Sequence, residues 1–220
     1  MQHRWLTLFS IGFLAVIVFA LFFLRLQPVR PRFAQTAQPT ETAVTTEPSV
    51  HVRNPAKGAK EPRVTLVEFG DFQCMPCKDM AESIDVLLRT IPEVRMVWKN
   101  MPNESAHPLA TPTAIAAHCA ADQGKFWDYH DALYAQQATL SESLFPSLAK
   151  ELGLDMKRFE QCYANRDPLP LIKKDFEEAL ALQLSATPTI FIGEERIVGL
   201  ASAEELITAV RQVLASQPAL

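Results

Sequence analysis

Residues 64–78 read Val-Thr-Leu-Val-Glu-Phe-Gly-Asp-Phe-Gln-Cys-Met-Pro-Cys-Lys and place two cysteines between a strand and a helix. The apolar, β-branched run Val64–Gly70 predicts a buried strand. Residues 77–89 repeat apolar side chains at helical spacing and predict a helix that begins at the cysteines. This setting favours thiol chemistry more strongly than the Cys-x-x-Cys spacing does by itself.

The pair Cys74-Met75-Pro76-Cys77 lies where a helix N-terminus stabilises an anion through its unpaired N–H groups and its dipole. The pKa of the Cys74 thiol is therefore expected to fall below its usual value of about 8.5, which makes Cys74 the attacking thiolate. Cys77, one turn further in, is expected to resolve the mixed disulfide. Pro76 fixes φ in the first turn without removing a needed hydrogen bond.

The residues leave two other uses of this pair open. A zinc site normally needs a second close pair of ligands, whereas the other two cysteines lie far along the chain and apart. A structural disulfide across two intervening residues would constrain the unfolded chain little. The sequence therefore predicts no metal site.

Glu68 and the dipeptide Thr187-Pro188 are further candidates for the site. Glu68 interrupts the apolar strand six residues before Cys74, where burial would raise the pKa of its carboxyl group. It is either a buried proton acceptor that serves Cys77 or a solvated acid at the sheet edge. Pro188 is either an ordinary strand-start residue or a cis-proline that brings irregular backbone against the dithiol.

The remaining elements follow the order strand, helix, strand, helical block, two strands, helix. Apolar periodicity and capping residues predict helices over 110–122, 126–136, 141–152, 155–164 and 171–184, and a last helix that begins at Ser202. Strands are predicted over 94–98, 189–192 and 196–198. This order favours an α/β sandwich with an all-helical insertion at about 105–185, between the second strand and the strand after Pro188.

Residues 1–26 predict a membrane anchor. Trp5–Leu24 is uncharged and nearly all apolar, and its length matches a helix that spans a bilayer core. A cleaved signal peptide is the alternative, although Arg32 or Gln35 would occupy the −3 position of the nearest cleavage sites. Residues 27–60, rich in Pro, Thr and Ala, predict a linker, which leaves 61–220 for the domain.

Charge is distributed unevenly along the 220 residues. The first 60 residues hold seven Lys or Arg and two acids, which leaves 14 basic and 23 acidic residues in the other 160, a net charge of −9. An acidic domain argues against nucleic acid as a partner. The arginines after the apolar run favour a cytoplasmic domain by the positive-inside rule, against the oxidising compartment that the thiol chemistry favours.

Cys119 and Cys162 both fall in the helical insertion. An even cysteine count in an exported domain favours a disulfide between them, and two buried free thiols are the alternative. A closed loop of about 44 residues would contribute roughly 4 kcal/mol on the chain-entropy model.

Three segments together resemble the DsbA-like branch of the thioredoxin superfamily. They are Phe69-Gly-Asp-Phe-Gln-Cys-Met-Pro-Cys-Lys78, residues 120–133 and residues 186–193. The resemblance covers about residues 60–215 and implies a thioredoxin fold with a helical insertion. It also implies that Cys74 is the nucleophile and Cys77 the resolving thiol, that Pro188 is cis, and that Glu68 is the buried acid.

One feature departs from the pattern of that branch. Many of its members carry proline directly after the first cysteine, whereas Met75 stands there and Pro76 precedes the second cysteine, as in reducing thioredoxins. The intervening dipeptide tunes thiolate stability and hence the reduction potential, so the direction of electron flow is open.

The sequence thus predicts a membrane-anchored, extracytoplasmic thiol–disulfide oxidoreductase, with an oxidase favoured over a reductase or isomerase. The chain would be single-pass with a periplasmic C-terminal domain, or secreted after signal cleavage. Its expected partners are cysteine-containing exported proteins and a membrane or soluble redox protein that resets the dithiol. The redox-active disulfide carries the electrons, so no cofactor is expected. A tethered metal-binding chaperone that uses the Cys-x-x-Cys pair is the alternative from another class.

Overall fold

A computed structural model describes Phe19 and residues 46–217 of the chain. The predicted anchor over 1–26, apart from Phe19, lies outside the described residues, as does the first part of the predicted linker. Within the described part, none of the helices combines the length and the apolar character that crossing a membrane requires.

The described residues form a single mixed sheet of five strands in the order β1-β3-β2-β4-β5. Strands β2 and β3 are parallel, and every other neighbouring pair is antiparallel. The strands are β1 (Ala56–Gly58), β2 (Val64–Gly70), β3 (Val94–Asn100), β4 (Thr189–Ile192) and β5 (Glu195–Val198).

Seven α-helices accompany this sheet in the described part of the chain. They are α1 (Met75–Thr90), α2 (Ala110–Ala121), α3 (Phe126–Ala135), α4 (Leu144–Glu151), α5 (Met156–Asn165), α6 (Leu169–Ala181) and α7 (Ala203–Ser216). Helices α2–α6 lie between β3 and β4 in the chain. The predicted thioredoxin-like α/β fold with an all-helical insertion is confirmed.

Side-chain alternation along β2 places apolar groups on both faces of the sheet. Leu66 belongs to a large core that also contains Cys77 and residues of α1, α2, α3 and α7. Val67 belongs to a smaller core on the other face, which residues of α6 cover. Because both faces are covered, β2 is buried along nearly its whole length, and its C-terminal end carries the cysteine pair into the interior.

Strand β1 was not predicted, because it lies within residues 27–60, which the sequence assigns to a linker. The strand is three residues long and has no apolar period, and it joins the sheet through backbone pairing with β3. Pro55 just before it accepts a hydrogen bond from the Trp98 backbone N–H at 2.9 Å. The folded domain therefore begins before residue 61, and Asn54 is already buried.

The structure joins Cys119 of α2 to Cys162 of α5 in a disulfide with a sequence separation of 43. The bond ties two helices of the insertion together, and both sulfurs are buried. It therefore closes a long loop that would otherwise be free in the unfolded chain.

The Cys119→Ala/Cys162→Ala variant is expected to lose about 4 kcal/mol of unfolding free energy, because the unfolded chain regains the entropy of the closed loop. Urea denaturation of the oxidised proteins measures this loss, and comparison of each protein with its reduced form separates the loss of the bond from the effect of the alanines. An unchanged denaturation midpoint at the same m-value would contradict the prediction.

Candidate active site

The cysteine pair lies at the start of α1, directly after β2. Cys74 is the N-cap of the helix and has extended backbone, with φ −72° and ψ 115°. Pro76 occupies the first turn, where its missing N–H costs no helical hydrogen bond. Both thiols are free and buried, whereas the Met75 side chain between them is 72% exposed.

The surroundings of the Cys74 sulfur favour a thiolate. A hydrogen bond from the Cys77 thiol, aided by the Thr187 side chain and the Cys77 backbone N–H, lowers the pKa of Cys74 to about 7 against the opposing effect of burial. The helix N-terminus thus acts on Cys74 through a specific N–H group as well as through its dipole. A large fraction of Cys74 is ionised at neutral pH.

Cys77 has the opposite character. Burial, followed by the hydrogen bond that it donates to Cys74, raises its pKa well above 9.0, and the negative charges of Glu68 and Cys74 act in the same direction. The two sulfurs of one motif therefore differ strongly in acidity. Cys74 is suited to attack or to leave as a thiolate, and Cys77 is suited to hold a proton.

Thr187 and Pro188 bring a second segment of backbone against the dithiol. The Thr187–Pro188 peptide bond is cis. In its protonated form the Cys74 thiol donates a hydrogen bond to the Thr187 carbonyl oxygen, with Sγ 3.3 Å from that oxygen. Strand β4 begins immediately afterwards at Thr189, antiparallel to β2, so the pairing of these two strands holds this loop beside Cys74.

Glu68 lies fully buried in the centre of the sheet, between Trp98 of β3 and Ile190 of β4. Neither carboxyl oxygen has a hydrogen-bond partner among the described residues. Burial raises the pKa of Glu68 to about 8, Lys57 opposes that shift, and Cys74 adds to it. The structure thus favours the buried acid over the solvated acid that the sequence left as an alternative.

Asp71 organises the loop between β2 and the cysteines, and the sequence did not single it out. One of its carboxyl oxygens accepts the Gln73 backbone N–H at 2.8 Å. The other lies 2.9 Å from the Asn103 backbone nitrogen and 2.8 Å from His107 Nδ1. No local pattern reveals this role, because Asn103 and His107 are about 30 residues away in the chain.

Gln137, in a short 3-10 helix after α3, was also missed. Its side-chain amide donates hydrogen bonds of 2.9 Å to the carbonyl oxygens of both Phe72 and Cys74. It therefore fixes the backbone on both sides of the turn that leads into Cys74. A single glutamine 60 residues away carries no sequence signal for this contact.

Replacing Gln137 with Leu is expected to lower the unfolding free energy by about 1–3 kcal/mol, because two loop carbonyls lose their donor. We also expect the pH midpoint of Cys74 alkylation to move, since the loop that holds its sulfur loosens. Urea denaturation and iodoacetamide kinetics measure the two effects. Gln136→Leu is the matched control, and equal behaviour of the two variants would contradict the prediction.

A groove of about 720 Å³ begins beside this site at Thr187. Apolar side chains of the insertion form much of its wall, among them Ile172, Phe176 and Leu180 of α6. Leu180 is 56% exposed, although it is apolar. The groove is thus an apolar surface that reaches the Thr187 backbone next to Cys74.

Residues 51–212 match a thioredoxin family. The Na(+)/H(+) antiporter NhaA 1 of Salinispora arenicola is 36% identical over 163 residues, which cover 74% of this chain and 25% of that protein. NhaA 3 of Salinispora tropica is 37% identical over 164 residues, which also cover 74% of this chain and 25% of that protein. The chain thus spans about a quarter of the length of the curated relatives it matches.

Solved structures match the described fold over most of their own length. A thioredoxin-like oxidoreductase from Silicibacter pomeroyi is 25% identical, with a TM-score of 0.68 over 76% of this chain and 95% of that one. The thiol–disulfide exchange protein α-DsbA2 of Wolbachia pipientis is 20% identical, with a TM-score of 0.67 over 74% of this chain and 88% of that one. A periplasmic thioredoxin-like protein from Salmonella enterica serovar Typhimurium is 24% identical, with a TM-score of 0.62 over 74% of this chain and 91% of that one.

The family match, the sheet order and the buried dithiol at the start of α1 agree with one another. The chain therefore belongs to the thioredoxin family.

Proposed function

We propose that this protein oxidises the thiols of cysteine-containing exported proteins through the Cys74–Cys77 pair. The observation that carries the proposal is the difference in acidity between the two sulfurs, with a pKa of about 7 at Cys74 and one well above 9.0 at Cys77. Such a pair favours release of an oxidised substrate in the second step, because the Cys74 sulfur is a good leaving group. The fully buried Cys77 is the less accessible target for the first attack.

In the first step a substrate thiolate attacks Cys74 Sγ of the oxidised pair. The new bond joins substrate sulfur to Cys74, the Cys74–Cys77 bond breaks, and its electron pair goes to Cys77, which takes up a proton. In the second step another substrate thiolate attacks the substrate sulfur of this mixed disulfide, and Cys74 leaves as a thiolate. The substrate gains a disulfide, and a redox partner then reoxidises the pair.

The proposed compartment is extracytoplasmic. The Cys119–Cys162 disulfide supports this placement, because disulfides persist mainly in oxidising compartments. The likeness to a periplasmic protein of Salmonella enterica supports it as well. The proposed anchor is the apolar run over residues 5–24. An alkaline phosphatase fused after residue 60 is expected to be active, and an inactive fusion would place the domain in the cytoplasm.

The groove beside Thr187 is the proposed site for apolar residues that flank the substrate cysteine. Leu180→Glu is therefore expected to raise the KM for peptides with apolar flanking residues about tenfold, since burial of one aliphatic side chain is worth about 1.5–3 kcal/mol. The Cys74 alkylation rate should stay at the wild-type value. Exposed Leu200 offers a control in Leu200→Glu, and equal KM values for the two variants would refute this use of the groove.

A reductase is the second candidate, and two observations favour it. The pKa of about 7 at Cys74 equals that of thioredoxin rather than the much lower value of DsbA. Pro76 also precedes the second cysteine. The reduction potential of the Cys74–Cys77 pair, measured against glutathione buffers, decides between them. An oxidase requires a potential well above about −200 mV, and a value near −270 mV would indicate a reductase.

A further inference from the structure

Buried polar atoms without a protein partner cluster on the inner side of the dithiol. Four such atoms occur among the described residues: both carboxyl oxygens of Glu68, the hydroxyl of Tyr134 and Nε2 of His130. Native proteins hydrogen-bond most buried polar groups, directly or through ordered water, so a cluster of exceptions calls for an explanation.

Helix α3 brings Tyr134 and His130 to the buried acid. The two residues lie one turn apart, with ring centroids 4.7 Å from each other. Trp98, the neighbour of Glu68 in the sheet, contacts the His130 ring at 5.3 Å. Burial raises the pKa of the Tyr134 hydroxyl most, and the negative charges of Cys77 and Glu68 have the next largest effects. Tyr134 therefore contacts the imidazole and is close enough to Glu68 for the charge of that acid to act on its hydroxyl.

His130 also connects this cluster to the protein surface. Its Nδ1 lies 2.8 Å from a carboxyl oxygen of Asp131, whose side chain is 60% exposed. The rest of the His130 ring is enclosed by aromatic side chains. A neutral imidazole accepts a proton on one nitrogen while it releases a proton from the other.

We propose that Tyr134 and His130 are positioning residues that, with intervening water, pass a proton between Glu68 and solvent at Asp131. The inference rests on the proposed function. When the Cys74–Cys77 bond breaks, Cys77 receives the electron pair and takes a proton from the Glu68 carboxyl group. The buried carboxylate then regains that proton through Tyr134 and His130, and the reverse occurs when the pair is reoxidised.

Other charged groups around this cluster define the competing route. Lys57 on β1 faces Glu68 and is paired with Asp85 of α1 at 2.6 Å. Asp71 and Cys74 face Tyr134 from the loop before α1, and Cys77 faces it from α1 itself. The charges of Asp131, Lys57 and Asp85 act on the pKa of His130. Lys57 is the group through which a proton would otherwise leave, so it supplies the control.

Tyr134→Phe is an informative substitution because it removes only a hydroxyl that has no partner among the described residues. A purely structural Tyr134 would tolerate the change, since no protein hydrogen bond is lost. If the Tyr134 hydroxyl passes protons, the same substitution slows proton transfer. His130→Phe, which keeps an aromatic ring among the aromatic neighbours, is the second variant.

The experiment follows repeated turnover of the full-length protein from pH 5 to 9, in H₂O and in D₂O. Dithiothreitol is the dithiol, oxidised glutathione reoxidises the Cys74–Cys77 pair, and the absorbance of oxidised dithiothreitol gives the rate. Both variants are expected to react about 100-fold more slowly than wild type at pH 7, with a larger solvent isotope effect. The pH profile of Cys74 alkylation should be unchanged. The infrared C=O band of protonated Glu68, identified by its loss in Glu68→Gln, should shift in Tyr134→Phe.

Wild-type rates in both variants together with an unmoved Glu68 band would overturn the inference. So would a Lys57→Met variant that by itself reproduces the slower reaction and the larger isotope effect. Failure of the proposed function looks different, because wild type itself would then not exchange disulfides with dithiols.

Discussion

The Cys77→Ala variant is expected to become trapped on its substrates, whereas Cys74→Ser is expected to lose exchange activity by roughly 10³-fold or more. The Cys74 thiolate of this variant attacks a disulfide of an oxidised substrate, and without Cys77 no internal thiol releases the mixed disulfide that forms. Without the Cys74 sulfur, the remaining thiol is fully buried and its raised pKa keeps it protonated. Non-reducing electrophoresis of each variant after incubation with an exported protein that contains a disulfide detects the trapped species, and a dithiol turnover assay measures the rate.

Met75→Ala is the matched control for this pair of variants, because Met75 lies between the cysteines and its side chain is exposed. It should neither trap partners nor lose more than a small part of the activity. A different pattern would support the metal-binding alternative: neither cysteine variant traps a partner, and both lose copper or zinc. Within the described residues, no three His, Cys, Asp or Glu side chains come together as a metal site.

Replacing Glu68 with Leu is expected to stabilise the protein at alkaline pH. The folded-state pKa of Glu68 is about 8, against an ordinary value of 4.5. Between these values the unfolded state binds fewer protons than the folded state, so the unfolding free energy of wild type falls as pH rises. The loss approaches about 5 kcal/mol above pH 8 and is absent below pH 4.5, where the carboxyl group is protonated in both states.

Urea denaturation at pH 5 and at pH 8.5 measures this effect. Wild type should lose several kcal/mol between the two conditions, and most of that loss should be missing in Glu68→Leu. Glu93→Gln is the control, because it removes a carboxylate whose side chain is half exposed. Parallel pH profiles for wild type and Glu68→Leu would contradict the prediction. The same variant should exchange disulfides more slowly, since Cys77 loses its proton donor.

Local patterns were sufficient for most of the fold. The β-branched run Val64–Gly70 and the run Thr189–Ile192 are strands with the predicted limits. Ser202 caps the last helix through a capping box with Glu205, as such a motif predicts from four residues of sequence. These elements were predictable because their signals lie within one or two turns of chain.

The parts that were missed depend on distant residues. Strand β1 joins the sheet by backbone pairing with β3, which requires no apolar pattern of its own. Gln137 and Asp71 hold the active-site loop through contacts that join residues more than 30 positions apart. A sequence pattern cannot report such contacts, because amide and carboxylate side chains at these positions look like any solvated loop residue.

The sequence by itself determined the strand–dithiol–helix unit, and with it the chemistry, because a cysteine at a helix N-terminus is favoured as a thiolate wherever that helix lies. The tertiary structure decided everything that depends on which groups are buried together. Only the packed sheet buries Glu68 away from the protein surface, sets the Thr187 carbonyl against Cys74, and encloses Tyr134 and His130 of α3 in the same interior. Desolvation and long-range proximity are properties of the folded chain, and they set the acidity of each group in this site.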